Sequence, residues 1–311
     1  MSDVSHDQPS ATAMVDALNN TFGSHGKRAS HPKGVSALGF FEPNPTAHTF
    51  STSAIFEPGH YPARVRFSIA GGNPNVPDKA PAARGMAIRI DGPRGERLTL
   101  VMISAPVFFA ASRASFVSFL EARRPDPETG KPNPQKIDES NMTHTDSEAQ
   151  RRWLASTAPS ISYATAPYFA VHTYLFDQSN GTKRPARWIF EPVAGRIGFS
   201  PAELNGIPDH FLVDELRARL REGPAQWRVL AMIPQAIDPL HNPTANWPET
   251  RETVELGMLT VTSLAALGTV EDSDGTVFDP MNLPQGIAPA GDPIFDSRSE
   301  AYAVSALRRG L

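Results

Sequence analysis

The chain of 311 residues has no cysteine. That absence excludes disulfide frameworks, Cys-ligated zinc, iron–sulfur clusters, thiolate-ligated haem, c-type haem attachment and thiol catalysis. Charge of one sign is also lacking: 29 Lys and Arg against 33 Asp and Glu leave a formal net charge of −4. With no basic stripe, nucleic acid is not expected as the main partner. No run approaches the roughly 20 apolar residues of a membrane span. The first twenty residues carry Asp3, Asp7 and Asp16 and no apolar h-region, so a soluble, cytoplasmic protein is expected. Sequence signatures of common enzymes are missing too: there is no H-E-x-x-H, no Walker loop, no G-x-S-x-G and no G-x-G-x-x-G. Proline, by contrast, is abundant, at 30 residues, about twice the usual share. Long regular helices cannot fill such a chain.

Periodicity predicts a short helix over Ala11–Phe22, where Met14, Val15, Leu18 and Phe22 share a face. Strands are expected at Arg64–Ala70, Met86–Asp91 and Arg97–Ser104, the last two joined by a hairpin loop at Gly92–Gly95. Ala114–Arg123 reads as helical. Residues 124–147 are polar and rich in proline and read as a surface excursion. Tyr163–Phe176 and Ala186–Pro192 read as a strand pair turned at Asn180-Gly181. Asp209–Glu222 reads as an amphipathic helix capped by Asp209. Trp227–Ile233 and Val254–Val261 read as strands, Asp279–Pro293 as coil, and Asp296–Arg309 as a last helix. Strands throughout, joined by hairpins and irregular links, suit an α+β class: an antiparallel β-barrel core with peripheral helices.

Four motifs could carry chemistry. Arg28-Ala29-Ser30-His31-Pro32-Lys33-Gly34 lies in irregular chain and would be a solvated basic loop if nothing met it. In Arg64-Val65-Arg66-Phe67-Ser68, two arginines and a serine share one strand face. That is the wet face of an ordinary sheet, or a set of anion anchors if a carboxylate-bearing ligand lies against it. Pro106-Val107-Phe108-Phe109 with Phe116 is either core or cofactor wall. Arg298 and Tyr302 lie one helical turn apart. An arginine held against a phenol favours its ionised form, and a phenolate is a hard anionic ligand suited to ferric iron.

Taken in order, R-x-x-H-x-K-G (Arg28–Gly34), V-R-F-S (Val65–Ser68), A-R-G-x-A (Ala83–Ala87), P-V-F-F (Pro106–Phe109), H-T-Y (His172–Tyr174) and R-x-x-x-Y (Arg298–Tyr302) resemble the haem catalase superfamily. The likeness is to its short branch, the catalase-related peroxidases, and spans residues 20–311. It implies one catalase-like haem domain over residues 1–311. Residues 1–24 would form an N-terminal segment and 294–311 a C-terminal helix on the proximal side. It implies haem b as cofactor, and a peroxidase that reduces hydrogen peroxide or organic peroxides with small organic, aromatic donors through a ferryl state. The alternatives are weak catalase activity, hydroperoxide rearrangement on the same haem, or non-catalytic haem binding. By the same resemblance His31 is the distal base, oriented by Ser68. Arg28, Arg66 and Arg309 pair with haem propionates; Val65, Phe108 and Phe116 line the pocket. Tyr302 is the iron ligand with Arg298 as its charge partner, and His172 and Asp292 stand behind that arginine. Two positions depart from the family pattern: Ile103 stands where an asparagine is expected, and Ala82 where a channel aspartate is expected. Both changes favour peroxidase over fast disproportionation. Without the arms of longer catalases, a monomer or homodimer is expected.

Overall fold

The structure is a computed structural model that describes residues 8–266 and 275–311. Residues 1–7 of the expected N-terminal segment, with Asp3 and Asp7, lie outside the described residues. Helix α1 (Ala11–Phe22) opens the chain, its first turn capped by the Ser10 hydroxyl. Strands β1 (Gly34–Pro43), β2 (Tyr61–Ile69), β3 (Arg84–Asp91) and β4 (Arg97–Ile103) follow as an antiparallel meander. Helices α2 (Arg113–Glu121), α3 (Pro134–Thr143) and α4 (Glu148–Ser156) come next, then β5 (Tyr168–Phe169), β6 (Tyr174–Asp177) and β7 (Lys183–Pro192). Helices α5 (Pro201–Leu204) and α6 (Leu212–Glu222) lead to β8 (Ala225–Met232) and β9 (Thr253–Leu264). Strand β10 (Ile287–Pro289) and helix α7 (Pro293–Leu307) close the chain.

The strand order β7-β5-β4-β3-β2-β1-β9-β8 returns to β7, so eight antiparallel strands form a closed barrel. Strands β6 and β10 extend β7 outside the ring. Closure leaves those strands no open edge. Alternation decides what lies within: Val65, Phe67 and Ile69 of β2, Met86, Ile88 and Ile90 of β3, and Leu98, Leu100 and Met102 of β4 all enter one buried cluster. Trp188 and Trp227, fully buried, join it. Arg66 and Ser68 therefore point outward, away from that cluster, while α1, α2 and α7 pack on one another as a separate group. No helix among the described residues is long and apolar enough to cross a membrane.

The structure adds to or departs from the sequence expectations at several places, among them β10 within the expected coil Asp279–Pro293 and the unexpected helices α4 and α5. Strand β1 went unpredicted because Gly34, Ser36 and Gly39 blur its alternation and a bulge interrupts it between Leu38 and Gly39. Gly39 is required there, since a Cβ would fall 2.0 Å from the Thr260 carbonyl oxygen. The surface excursion 124–147 contains α3, none of whose residues is buried. Tyr163–Phe176 is not one strand but a 3-10 turn followed by β5 and β6, because Pro167 breaks it. Helix α7 begins at Pro293, three residues earlier than expected, with Asp292 as its cap. Finally, Asp209 does not cap α6. The Oδ2 of Asp78, distant in sequence, accepts from the backbone N–H groups of Phe211 (2.6 Å) and Leu212 (2.8 Å). Asp209 pairs instead with Lys79 at 3.0 Å.

Asp78 is buried and also faces Lys33 at 2.5 Å. Asp78→Ala should therefore cost about 2–4 kcal/mol, from the lost cap and the stranded lysine. Asp209→Ala should stay within about 0.5 kcal/mol of the parent. Urea midpoints of the two variants check the contrast, and equal midpoints would refute it.

Candidate functional site

His31 lies in the loop between α1 and β1, at φ +56°, a left-handed conformation that is rare for a residue with a side chain. Pro32 follows it and adds its own restriction. The surroundings hold the strained turn in place. The His31 N–H donates to the Gly71 carbonyl at 2.7 Å. The two terminal nitrogens of Arg66 donate to the carbonyls of His31 (2.9 Å) and Pro32 (3.2 Å). The imidazole Nδ1 meets the Ser68 hydroxyl at 2.9 Å. Gly85, paired with Ser68 across β2 and β3, makes room: a Cβ there would lie 2.4 Å from Ser68 Oγ and 2.6 Å from His31 Nδ1. Ile103 is the register partner of Gly85, so an apolar side chain stands beside the histidine.

Enclosure by protein strips the imidazole of solvent, although some of the residue's surface remains exposed. The charges of Arg66 and Arg298 act in the same direction, and the pKa falls from 6.5 to about 3. His31 is neutral at any physiological pH. Arg298 of α7 is thus near enough for its charge to act on His31.

On that other side a continuous hydrogen-bond chain runs through α7. The N–H groups of Ile294 (3.1 Å) and Phe295 (2.8 Å) donate to Asp292 Oδ1. Asp292 Oδ2 pairs with His172 Nδ1 at 2.7 Å. Arg298 Nη1 donates to His172 Nε2 at 3.1 Å, and Arg298 Nη2 donates to the Tyr302 hydroxyl at 2.8 Å. An arginine can only donate, so Nε2 must accept and Nδ1 must carry the proton. His172 is thus a neutral relay; burial depresses its pKa against the pull of Asp292. Phe295 stacks on the imidazole, with centroids 4.4 Å apart. Burial works against the Asp292 carboxylate, but the hydrogen bonds from His172 and the helix N-terminus hold its pKa below the usual value.

The structure places the remaining expected residues as follows. Arg28 donates to the Thr276 carbonyl at 2.7 Å, and Arg309 to that of Ser305 at 3.2 Å. The Ala29 N–H reaches the Ser305 hydroxyl at 3.4 Å, which docks the Arg28 segment against the last turn of α7. Phe108, Phe109 and Phe116 form one aromatic cluster with α1 and α7. Val65 does not share their side. It points into the barrel core, opposite Arg66 and Ser68.

Sequence reasoning missed three contributors. Gly71 and Gly85 act through a carbonyl and through missing bulk, and neither leaves a chemical signal. Arg187 reaches Thr173, beside His172, at 3.3 Å, and also holds the carbonyls of Asn242 and Ala245. The Pro243 carbonyl within that loop accepts from the Phe108 N–H at 2.8 Å.

Depressed histidine pKa values make the unfolded chain bind more protons than the folded one below about pH 6.5. Stability should therefore fall as pH drops from 6.5 toward 3, with His172 and Asp292 acting in the same direction. Denaturant midpoints between pH 7 and 4 should decline, and less steeply in His31→Gln. A midpoint independent of pH would contradict the burial of neutral imidazoles.

A family model described as Catalase matches residues 25–310. The chain is 36% identical over 297 residues to a catalase-related peroxidase of Synechococcus elongatus, covering 95% of this chain and 87% of that protein. It is 31% identical over 301 residues to a catalase-related peroxidase of Mycolicibacterium paratuberculosis, covering 96% and 94%. Among solved structures, a fungal catalase superposes with a TM-score of 0.82 at 19% identity over 91% of this chain. Catalase A of Saccharomyces cerevisiae does so at 0.81 and 20%, also over 91%. The chain spans 59% and 61% of those two chains, so they speak for the fold alone.

Proposed function

The chain belongs to the catalase family, and from that premise we propose that it is a haem peroxidase that reduces hydrogen peroxide or organic peroxides with small organic donors. The observation that carries the reading is the presence of two unlike hydrogen-bonded sets, with the Arg298 charge of one acting on the His31 imidazole of the other. His31 with Ser68 offers a neutral base, and the Asp292–His172–Arg298 chain ends on the Tyr302 oxygen.

The residues fit a haem held without covalent attachment, as haem b. The Tyr302 oxygen, fixed by a guanidinium, is a hard donor suited to ferric iron. Gly85 keeps the wall beside His31 free of bulk. Arg28, Arg66 and Arg309 would meet the propionates, with Phe108 and Phe116 against the ring. When bound, the haem would supply the iron at which the peroxide O–O bond is cleaved and the two electrons that the cleavage consumes, which the organic donors later restore.

The protein's own part is orientation and proton movement. In the tautomer that donates Nδ1–H to the Ser68 hydroxyl, the His31 Nε2 lone pair is free. Nε2 takes the proton from the peroxide and hands it to the departing oxygen. Arg66 fixes the turn from which the imidazole projects. On the opposite side, Arg298 holds the Tyr302 hydroxyl, and His172 with Asp292 keeps Arg298 from turning away. Ile103 gives a second peroxide no hydrogen bond, which favours donor oxidation over disproportionation.

Purified protein should show a Soret band with a ferric high-spin spectrum, and a preparation that cannot be loaded with haem would end this reading. Tyr302→Phe should abolish stable loading or change the ligation spectrum. His31→Ala should still take up haem but lose about 100- to 10,000-fold in peroxide turnover. Steady-state oxygen release measured against donor oxidation separates peroxidase from catalase, with donor oxidation expected to dominate.

A further inference from the structure

The loop that joins β2 to β3, residues 70–83, runs past the His31 turn and holds it in two places. The first hold is the Gly71 carbonyl, which accepts from the His31 N–H at 2.7 Å. The second lies further along the loop and grips a different residue. The Lys33 ammonium donates to the Val76 carbonyl at 2.7 Å and to His210 Nδ1 at 2.8 Å, and it pairs with Asp78 Oδ1 at 2.5 Å. An ammonium has three N–H groups, so these three partners occupy it fully and leave nothing for a ligand.

Asp78 makes the second hold rigid. Its side chain is only 3% exposed. Oδ2 is committed to the Phe211 and Leu212 N–H groups. The Asp78 carbonyl accepts from Arg84 Nη2 at 2.5 Å, and the Asp78 N–H donates to the Asp209 carbonyl at 2.8 Å. Among the described residues, Oδ1 meets no group but the Lys33 ammonium. Pro74, Pro77 and Pro81 each fix a φ angle, so the loop has little slack between its two holds.

The tether ends next to the candidate base. Lys33 follows Pro32, whose carbonyl Arg66 holds, and its own carbonyl accepts from the Ile69 N–H at 3.1 Å. His31 itself sits at φ +56°. A side-chain-bearing residue keeps such a conformation only where its surroundings impose it. The Lys33–Asp78 pair supplies part of that constraint, from a residue pinned to the starts of both β3 and α6.

We propose that Lys33 and Asp78 are positioning residues for the His31 base: their ion pair fixes the far end of the His31 turn, and without it the imidazole loses its aim at the peroxide. The inference rests on the peroxidase reading and adds these two residues to it. Neither is catalytic, since both act through His31.

The test separates aim from folding. Asn caps helices about as well as Asp, so Asp78→Asn keeps the α6 cap and drops the ion pair. Lys33→Met strands a buried carboxylate, whereas the double variant Lys33→Met with Asp78→Asn leaves no charge unpaired. Lys79→Met is the control: it breaks the neighbouring pair with Asp209, at 3.0 Å, in the same loop. In haem-loaded protein, Asp78→Asn and the double variant should each lose about tenfold or more in the rate constant for peroxide. The on-rate of hydrogen cyanide, which must also give a proton to a base, should fall with it. The Soret band and the KM for the organic donor should not move. Lys33→Arg, which keeps a donor for Asp78, should retain most of the rate, and Lys79→Met should match the parent. In haem-free protein the His31 amide should exchange about tenfold faster in the double variant, relative to amides of the barrel strands. Peroxide and cyanide rates within about twofold of the parent in both Asp78 variants would overturn the assignment. An equal loss in Lys79→Met would also overturn it, by making general loop stability the cause. Haem-loaded parent protein that reduces no peroxide would refute the peroxidase reading; the His31 amide would still decide the tether, and unchanged exchange there would overturn it.

Discussion

The alternation of β2 in a closed barrel is the constraint on which the rest of the molecule depends. Successive side chains of a strand must face opposite sides. Val65, Phe67 and Ile69 fill the interior, so Arg66 and Ser68 are driven to the outer face. There Ser68 orients His31, and Arg66 holds the carbonyls that shape the His31 turn. A slip of one residue in β2 would bury an arginine in an aromatic core and remove both contacts at once. Barrel closure makes such a slip costly, because eight strands share one register cycle.

The candidate site therefore has two sides, the His31 turn against the outer face of β2 and the chain of contacts on α7. Each side has its own electrostatic design. The His31 side is a neutral base enclosed by protein and flanked by positive charge. The α7 side turns the helix N-terminus into an anchor: its free N–H groups hold Asp292, which holds His172, which holds Arg298, which holds Tyr302. A capping residue at one end thereby sets the position of a phenol ten residues later. Arg187 touches Thr173 beside His172 and the loop whose Pro243 carbonyl accepts from Phe108, so one buried guanidinium ties the His172 segment to the Phe108 segment.

Where the sequence misled, the reason was interaction across long separations in the chain. Asp209 had the local signature of a cap for α6, yet Asp78 supplies it from elsewhere, because the loop before β3 is pinned there by Arg84 and Lys33. Val65 sat within a recognisable motif, but its parity puts it in the core. Strand β1 has a glycine where it crosses closest to β9, and that glycine hid it from pattern reading. In each case a partner far along the chain outweighed the local preference.

By itself, the sequence determined most of the strands, the two end helices, the exclusion of thiolate chemistry, and the residue types that the family resemblance rests on. His31, Ser68, Arg298 and Tyr302 were legible only through the resemblance that six short motifs in order carry, since each motif alone is common. Only the tertiary structure decided that His172 is neutral with its proton on Nδ1, that Arg66 grips the His31 turn, and that Gly85 is open space rather than flexibility. Those properties arise from hydrogen-bond direction and from burial, which depend on what a residue meets and not on what it is.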